Sequence, residues 1–379
     1  MRTDIVLVNF GMAPDLVRCL NTLGHWPHGR VWVVNNSAQD PGSSADTAQL
    51  RSTVLARTDT TLLDADANLG FGRACNLAFS RSQAECVLLL NPDARIETDG
   101  LLQLMAWMQS NPQWGAISPG MCWNDSRSFL IPPTVKQTPL SCLSLALSTR
   151  WAWWARWRAD HELRRSQRLS EKHGICKVDF LSGAVLLVRR EAAQMAAKSA
   201  GLKEGDLFDP GYFMFFEDSD LSVRLRRTGW SLGVHTGIHA THHYRHKPYK
   251  AALMQQAREY YFKHRFPRFF RLSADLKWVD ALSKSVEAAH RFEVIHSPLN
   301  SATAFTEQTH GAAVLALSPS LLAWPAVYHS GSRVASTLDD EDWALLEPGQ
   351  YVALLQDREG QVRWCCFSRS TAIAPSETM

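Results

Sequence analysis

The chain has 379 residues, of which 45% are hydrophobic and 20% charged, and its formal net charge is +3 at pH 7. This composition is typical of globular proteins and excludes a disordered chain, while the length predicts two domains or one large α/β domain with an appendage. The eight cysteines form no C-x-x-C pair and have no regular spacing, which favours buried thiols in a reducing compartment over a disulfide framework or a zinc site.

The N-terminus predicts a strand. Its apolar run, residues 5–8, is soon followed by polar residues and is too short for a secretory signal. No stretch of the sequence approaches the ~20 apolar residues that a membrane-spanning helix needs. We therefore expect a cytoplasmic protein.

Strands and helices are expected to alternate through the first third of the chain. Leu16, Leu20 and Leu23 have helical spacing and follow Pro14, a residue favoured in the first turn of a helix, and a second helical segment covers residues 71–82. The short apolar runs around them are residues 5–8, 31–34, 61–63 and 86–90. This alternation predicts an α/β protein with a doubly wound, mostly parallel, Rossmann-like sheet.

The loops that follow these four runs are expected to share one crevice, because ligands of such sheets bind beyond the carboxyl ends of the strands. They are residues 9–13, 35–40, 64–72 and 91–95. A dinucleotide site is not predicted, since the near match to G-x-G-x-x-G at residues 70–75 follows a later strand and lacks the third glycine. The sequence of a P-loop is absent as well.

The fourth apolar run ends on a carboxylate, in Asn91-Pro92-Asp93. A carboxylate at the end of a strand can bind a hard divalent cation that bridges the two phosphates of a nucleotide diphosphate. An Asn-Pro turn in which Asp93 caps a helix beginning near Thr98 would explain the same residues. The sequence by itself leaves both interpretations open.

A second acidic site lies in residues 216–221, directly after a run of aromatic residues and methionine. Asp220 and Arg224 have the i, i+4 spacing of an ion pair on a helix, and Gly229 signals the end of that helix. Acidic residues in a first helical turn complement the helix dipole, which needs no function. Capping does not require the preceding aromatic residues, so we favour Asp218 as a general base that faces a cleft.

His242 follows a short strand predicted from Leu232 onward. The stretch around it is rich in histidine, but the spacing fits no zinc signature. A single histidine is more often structural than a metal ligand. On chemistry alone, a metal role for His242 is therefore the minority interpretation.

Seven segments, in the same order between residues 4 and 265, resemble family 2 glycosyltransferases, and within them the rhamnosyltransferase-like branch. They are Val8-Asn9-Phe10 with Leu16-x-x-Cys19-Leu20-x-x-Leu23; Val33-Val34-Asn35-Asn36-Ser37; Asn68-Leu69-Gly70-Phe71-Gly72-x-x-x-Asn76; residues 88–93; Val178-Asp179-Phe180-Leu181-Ser182-Gly183-Ala184 with Leu187-Val188-Arg189-Arg190; Phe216-Glu217-Asp218-x-Asp220-Leu221 with Gly229-Trp230; and His242. Each segment is a weak signal alone, whereas seven collinear segments are a strong one.

The resemblance implies a GT-A fold, a nucleotide-diphosphate sugar as donor, a divalent cation (Mg²⁺ or Mn²⁺) and inversion at the anomeric carbon. It assigns Asp93 and His242 to the metal site, Asp218 to the general base and Glu217 to a carboxylate that supports the base in catalysis. The positions that match the nucleotide-binding segments are Asn9, Asn35, Asn68, Gly70 and Asn76. Residues 182–184 match the acceptor side.

One departure concerns the base of the nucleotide. Many relatives carry aspartate at the position of Asn35, where it contacts the base. Asparagine can both donate and accept, so binding is retained in principle while the base preference is left open.

A basic, tryptophan-rich segment at residues 137–175 is predicted to form a helical insertion. Such a helix is typical of an interfacial element at a membrane surface, or of a flap that packs its tryptophans on the core. A second basic stretch covers residues 245–271. Because this family often extends lipid-diphosphate-linked glycans, we expect contact with the inner face of the membrane. No nucleic-acid-binding module is recognisable, so a nucleic-acid partner is not expected.

The predicted domains are a GT-A domain over residues 1–270, a linker over 271–285 and a small β-rich domain of open role over 286–373. Short strands in the last of these are predicted at residues 313–317, 326–328, 351–355 and 362–367.

The sequence thus predicts an inverting, metal-dependent hexosyltransferase. It would move a deoxyhexose such as L-rhamnose from a dTDP or UDP donor to a hydroxyl of a growing surface glycan, free or lipid-linked. The alternatives are a UDP-hexose or UDP-HexNAc transferase and a non-catalytic subunit that binds nucleotide sugar or glycan. The oligomeric state is left open.

Overall fold

A computed structural model describes residues 1–37, 44–133, 137–243, 250–273, 276–277, 292–295, 298–329 and 337–370. The strands in these ranges are β1 (Thr3–Asn9), β2 (Val31–Asn35), β3 (Thr60–Asp64), β4 (Cys86–Leu90), β5 (Ala94–Ile96), β6 (Trp114–Cys122), β7 (Phe129–Ile131), β8 (Ile175–Lys177), β9 (Val185–Arg189), β10 (Ser231–His242), β11 (Glu293–Val294), β12 (Ala313–Ser318), β13 (Val327–His329), β14 (Gly349–Gln356) and β15 (Val362–Arg369).

The helices in the same ranges are α1 (Ala13–Leu23), α2 (Ser44–Leu55), α3 (Phe71–Phe79), α4 (Thr98–Ser110), α5 (Pro139–Arg150), α6 (Ala152–Ser170), α7 (Arg190–Ser199), α8 (Glu217–Arg227), α9 (Lys250–Arg265), α10 (Pro267–Leu272), α11 (Ala302–Gln308) and α12 (Asp340–Ala344).

The central sheet has the order β3-β2-β1-β4-β9-β6, with β10 beside β6. The first four strands are parallel to one another, and β10 runs parallel to β6. Only β9, which is antiparallel to both β4 and β6, interrupts this direction among these seven strands. The predicted α/β fold with a mostly parallel sheet is therefore confirmed, and β1 to β4 lie where the apolar runs placed them.

Helices cover both faces of this sheet. Ile5 and Leu7 of β1 pack in one cluster with α1 and α4, whereas Val6 and Val8 pack in another with α3, α7 and α8. Successive side chains of a strand point to opposite faces, so a run that is apolar at every position must be covered on both sides. Burial on both faces of the sheet therefore explains why residues 5–8 form a continuous hydrophobic run.

Two local expectations are corrected by the pairing of β5 with β10. Asp93 does not cap a helix, because α4 begins at Thr98 with Glu97 as its N-cap residue and Asp93 instead precedes β5. His242 does not follow a short strand, since it is the last residue of the twelve-residue β10. Both deviations arise because β5 and β10 are antiparallel partners, and a long-range pairing leaves no local signature.

The C-terminal region is β-rich, with β12 to β15 at the predicted positions. Its core contains Phe305, Trp343 and Phe367, and it also includes Trp123 and Phe129 from the β6–β7 region. Strand β13 also pairs with β7 through Tyr328 and Leu130, which joins these strands to the central sheet. Most of the predicted linker lies outside the described residues, and the domain limits stay a prediction.

All eight cysteines are buried and none forms a disulfide, which agrees with the expectation of buried thiols. Among the described helices, none has both the length and the hydropathy of a membrane span.

Candidate active site

The carboxyl ends of β1, β2 and β3 meet at one edge of the sheet. Asn9, Asn35 and Asp64 are register neighbours. The Nδ2 of Asn9 donates to Oδ1 of Asn35 over 3.1 Å, and the Nδ2 of Asn35 donates to Oδ1 of Asp64 over 2.9 Å. This chain of hydrogen bonds brings three of the expected crevice loops together, with residues 38–43 lying outside the described part.

Asn35 itself is fully buried, and both ends of its amide are engaged by Asn9 and Asp64. The carboxylate that faces solvent at this edge belongs to Asp64, whose side chain is 40% exposed and also accepts a hydrogen bond from Arg51 over 2.6 Å. Asp64 was not among the predicted site residues. The signal available in the sequence was its position directly after the apolar run of residues 61–63.

The segment from Asn68 to Gly70 is held against the end of β2 by Asn36. The Nδ2 of Asn36 donates to Oδ1 of Asn68 over 3.0 Å, and its Oδ1 accepts from the backbone N of Leu69 over 2.8 Å. Asn36 is buried whereas Asn68 is exposed. The structure thus places Asn68 at the crevice edge, supported by a residue that the prediction did not include.

Gly70 is required by its backbone conformation. Its φ is +76°, and a Cβ there would lie 2.1 Å from the carbonyl oxygen of Phe213, which accepts a hydrogen bond from the backbone N of Phe71. Any other residue at this position would have a strained left-handed backbone, and its Cβ would clash with the carbonyl oxygen of Phe213. The glycine therefore lets the start of α3 approach the segment that leads to Asp218.

Asn76 ties α3 to the chain ahead of the acidic run. It is buried, its Nδ2 donates to the carbonyl of Phe208 over 2.7 Å, and its Oδ1 accepts from the backbone N of Phe208 over 2.8 Å. Both ends of the amide are used within the protein. The assignment of Asn76 to the nucleotide site stays a prediction.

Asp93 and His242 lie side by side. Nε2 of His242 is 3.3 Å from Oδ1 of Asp93, and both side chains are largely buried, with 12% and 23% of their surface exposed. The register of β5 with β10 places His242 opposite Ala94, and the backbone N of His243 donates to the carbonyl of Asp93 over 3.2 Å. Backbone pairing therefore brings together two residues that are far apart in the chain.

This pair suits a divalent cation that keeps several non-protein ligands. Neighbouring ligands of an octahedral cation with bonds of ~2.1 Å lie ~3 Å apart, which the separation of Nε2 and Oδ1 matches. No group of three or more His, Cys, Asp and Glu side chains with ligand spacing occurs within the described ranges. Water and a substrate diphosphate would have to complete the coordination.

The neighbouring His243 has a different partner. Its Nε2 lies 2.9 Å from Oδ1 of Asp125, an exposed residue of the β6–β7 connection. The two adjacent histidines therefore point to different carboxylates, and His242 is the one beside Asp93.

Asp218, in the first turn of α8, is partly buried and held by backbone donors. Its Oδ2 accepts from the N of Gly183 over 3.2 Å and its Oδ1 from the N of Ser219 over 2.6 Å. Burial raises the pKa of Asp218, and these hydrogen bonds oppose the rise. A raised pKa suits a carboxylate that must take up a proton during the reaction.

The loop at residues 182–184 contacts both Asp218 and the Asn91-Pro92-Asp93 turn. While Gly183 donates to Asp218, the carbonyl of Ala184 accepts from the N of Asn91 over 2.8 Å. Ser182, Ala184 and His242 also line one cavity. The structure thus gathers Asp93, Asp218 and His242 around one short loop.

The two residues before α8 have left-handed backbones. Phe215 and Phe216 have φ values of 72° and 64°, which cost roughly 1–2 kcal/mol per residue for side chains of this kind. Their rings pack with Tyr212 and Tyr261 in a separate aromatic cluster, which offsets the strain. Such strain is common at functional sites and gives the predicted aromatic run a physical role, because it directs the first turn of α8.

The predicted ion pair of Asp220 with Arg224 is present over 2.7 Å, and both side chains are fully buried. Asp220 also accepts hydrogen bonds from Arg265 of α9 and from the hydroxyl of Tyr212. Asp220 is thus a structural carboxylate that anchors α8.

Glu217 is buried beneath the start of α8, and its Oε2 has no hydrogen-bond partner in the structure. Burial and the charge of Asp218 together raise the pKa of Glu217 to about 8. Glu217 therefore keeps its proton to a higher pH than an ordinary glutamate, and the protonated side chain adds no negative charge beside Asp218.

The raised pKa has a consequence for stability. Between the ordinary value of 4.5 and about 8, folded Glu217 keeps a proton that the unfolded chain releases, so stability falls as pH rises through this window. We expect Glu217→Gln to melt at a higher temperature than the parent protein at pH 9 and at a similar temperature at pH 5. Differential scanning fluorimetry across this range measures the difference. Glu191→Gln, at an exposed site on α7, is the control, and parallel curves for parent and Glu217→Gln would contradict the prediction.

The predicted insertion forms the helices α5 and α6. Trp151, Trp153 and Trp157 are 43%, 59% and 51% exposed, whereas Trp154 is partly buried and donates to Ser144. Most of these indoles are therefore not packed on the core. The second basic stretch falls mainly in α9 and α10, apart from residues 244–249, which lie outside the described ranges.

The model of the family "Glycosyl transferase family 2" matches residues 4–194, just over half of the chain. The chain belongs to glycosyltransferase family 2. The predicted family and the prediction of a hexosyl-transferring enzyme are confirmed. The match ends before Asp218 and His242, so the roles of the individual site residues stay predictions.

This family 2 glycosyltransferase is similar to the N-acetylglucosaminyl-diphospho-decaprenol L-rhamnosyltransferases of two Mycobacterium tuberculosis strains, CDC 1551 / Oshkosh and ATCC 25618 / H37Rv. Each is 27% identical over 255 residues, which cover 64% of this chain and 76% of the relative.

Similar solved structures include three glycosyltransferase complexes. GalNAc-T7 with UDP, GalNAc and Mn²⁺ has a TM-score of 0.44 at 10% identity, over 64% of this chain and 44% of that one. The mannosyltransferase PcManGT of Pyrobaculum calidifontis with GDP-Man and Mn²⁺ has a TM-score of 0.40 at 16% identity, over 76% and 77%. S. aureus TarS 1–349 with UDP-GlcNAc has a TM-score of 0.45 at 16% identity, over 77% and 69%.

Proposed function

We propose that this chain is an inverting, metal-dependent glycosyltransferase that moves a deoxyhexose such as L-rhamnose from a dTDP or UDP donor to a hydroxyl of a growing surface glycan. The observation that carries the proposal is the loop at residues 182–184, which contacts Asp218 on one side and the Asn91-Pro92-Asp93 turn on the other. A proton acceptor and a paired Asp–His site are thereby held at one edge of the sheet.

In the proposed reaction, Asp218 removes the proton of the attacking acceptor hydroxyl. The backbone N–H groups of Gly183 and Ser219 keep its carboxylate oriented. Protonated Glu217 adds no competing charge. Attack in line with the departing diphosphate inverts the anomeric carbon.

Asp93 and His242 would hold the divalent cation, Mg²⁺ or Mn²⁺. A bound cation supplies charge that offsets the negative charge building on the leaving diphosphate. Asp93 contributes an anionic oxygen, and Nε2 of His242 contributes a neutral donor when unprotonated. Their antiparallel strands keep both donors in place before substrate binds.

At the nucleotide end, Asp64 is proposed to contact the base in place of Asn35. Its partly exposed carboxylate accepts hydrogen bonds, and uracil and thymine each present an imide N–H. Asn35 would orient Asp64 through their 2.9 Å hydrogen bond. This arrangement supports a UDP or dTDP donor.

The acceptor is proposed to be a glycan or a lipid-linked glycan at the inner face of the membrane, with a cytoplasmic, peripheral location for the enzyme. Similarity to transferases named for a diphospho-decaprenol substrate supports this proposal, as do the exposed tryptophans of α6.

A panel of nucleotide sugars in a thermal-shift assay tests the donor. A donor present at 100 times its dissociation constant should add roughly 2.7 kcal/mol of stability. We expect dTDP-L-rhamnose or its UDP counterpart to give the largest shift, and the shift to need Mn²⁺ or Mg²⁺.

Asp64→Asn should shrink the shift, because a charge-assisted hydrogen bond to the base becomes a neutral one. Asp66→Asn, at the next exposed carboxylate of the same loop, should leave it unchanged. A larger shift with UDP-hexose or UDP-HexNAc would replace the proposed donor, and metal-dependent binding without any transfer would favour a non-catalytic subunit.

A further inference from the structure

A cavity of about 530 Å³ opens beside the loop at residues 182–184. Its volume is within the ~300–1,000 Å³ range of small-molecule sites. Ser182, Ala184, Phe216 and His242 form part of its wall. Gly183, between two of these residues, donates to Asp218. Asp218 therefore lies one hydrogen bond away from the loop that forms this part of the wall.

The remainder of the wall is mostly apolar. It is formed by side chains from β6, β7, α5, α9, the loop before β9 and the C-terminal region, among them Met121, Leu130, Phe180, Phe262 and Trp324. Sugar hydroxyls buried against such a wall would lose their hydrogen bonds to water without replacement. A hydrocarbon chain has no such cost and gains from leaving water.

Two apolar residues of the cavity wall also face solvent. Leu145 of α5 is 39% exposed and Met254 of α9 is 41% exposed. We call this pair the cavity mouth. Exposed apolar side chains at the rim of a cavity are typical of sites that admit an apolar ligand.

Positive charge lies within the cavity and next to it. Arg158 and Arg258 line it, and Arg158 also donates to Ser148 over 3.4 Å. An adjoining cavity of about 430 Å³ shares Pro133 and Leu169 with the first. Its cationic residues are Arg164, Arg165, Arg168, Lys172 and Lys177.

The carboxylates of this adjoining cavity are already paired. Glu162 lies 3.3 Å from Arg165, and Asp179 lies 2.7 Å from Arg226. The net charge around the two cavities is therefore positive. An apolar chamber flanked by cations is complementary to a hydrocarbon chain that ends in a phosphate.

We propose that the apolar cavity binds the hydrocarbon chain of an amphiphilic acceptor, whose phosphate linker lies against Arg158 and Arg258 and whose sugar reaches Asp218. The inference rests on the proposed function for the position of the sugar. It adds the site of the chain, and it makes recognition of the chain a separate determinant of acceptor choice.

The test uses sugar-free probes, the alkyl phosphates with 8, 10 and 12 carbons, below their aggregation concentrations. Isothermal titration to the full-length protein should show affinity rising by about fourfold per added methylene. Leu145→Glu and Met254→Glu should each weaken dodecyl phosphate binding at least tenfold, because they place charge at the cavity mouth.

The matched controls are Leu140→Glu, on α5 at a 76% exposed position, and Met195→Glu, on α7 at a 45% exposed position. Neither residue lines the cavity, so both variants should bind the probe like the parent. Because all four substitutions are at solvent-exposed side chains, melting temperatures should stay close to the parent value and exclude misfolding as the cause.

Binding that is independent of chain length, or equal in mouth and control variants, would overturn the proposal even if transfer is observed. Chain-dependent binding without transfer to any glycan would support the cavity assignment and overturn the proposed function instead. Dimerisation that Leu145→Glu abolishes, with no probe binding, would assign the mouth to a second copy of the chain and likewise overturn the proposal.

Discussion

Replacing Asp218 by asparagine is expected to reduce kcat by about 10²–10⁴-fold, the contribution typical of a general base, while donor binding stays close to that of the parent enzyme. Asparagine has nearly the same shape and cannot take the proton of the acceptor hydroxyl. It keeps one oxygen that can accept from Gly183 or Ser219. The other contact is lost, at a cost of about 1 kcal/mol of stability.

We would measure kcat and the donor dissociation constant for Asp218→Asn, with Asp99→Asn as the matched control. Asp99 is an exposed carboxylate that also lies in the first turn of a helix, α4, and its variant should keep the parent kcat. Turnover by Asp218→Asn within a fewfold of the parent would rule out Asp218 as the base.

The pH dependence of activity is a second test of Asp218 as the general base. Burial raises the pKa of Asp218, and only the deprotonated carboxylate can act as base. Activity should therefore fall, as pH decreases, at a higher pH than an ordinary aspartate would give. The residual activity of Asp218→Asn should lack this acid limb.

Loss of the metal site is the second large effect that we expect. Asp93→Ala or His242→Ala should lower kcat/KM by about 10²–10³-fold, the range seen when one group that stabilises developing charge is removed. Each variant should also need more Mn²⁺ for half-maximal activity, since each removes one of the two protein donors. Activity titrations with Mn²⁺ after treatment with EDTA measure both quantities.

His243→Ala is the matched control, because His243 is adjacent in sequence but lies 2.9 Å from Asp125 instead of Asp93. Its Mn²⁺ requirement should match that of the parent. A defect in His243→Ala as large as that in His242→Ala would contradict the specific assignment of His242 to the metal site, and full activity in EDTA would exclude a metal site.

The parallel strands β1, β2 and β4 were predictable because they are buried on both faces and therefore read as continuous apolar runs, as at residues 31–34 and 86–90. The ion pair of Asp220 and Arg224 was predictable for a similar reason, since helical periodicity alone places them together. Arg265, which also binds Asp220, was not, because α9 reaches this carboxylate only through tertiary packing.

Asp93 shows where local sequence stops being informative. An aspartate at this position can act either as a helix cap or as a metal ligand, so the sequence by itself did not distinguish the two interpretations. The structure excludes the cap, because Glu97 is the N-cap residue of α4. The antiparallel pairing of β5 with β10 places His242 beside Asp93, which supports the proposed metal site. Asn35 shows the reverse. Its match to a nucleotide-binding segment was evident from the sequence, whereas its complete burial, which leaves Asp64 as the exposed carboxylate at this edge, was not.

The sequence alone determined the family, the α/β architecture, the positions of β1 to β4 and β12 to β15, and the residues from which a site could be built. These depend on local periodicity and on collinear motifs, both of which a single chain displays. The tertiary structure decided which histidine meets Asp93, which carboxylate faces the crevice and where an apolar cavity adjoins the base. Those features depend on contacts between residues far apart in the chain, and local residue patterns do not encode such distances.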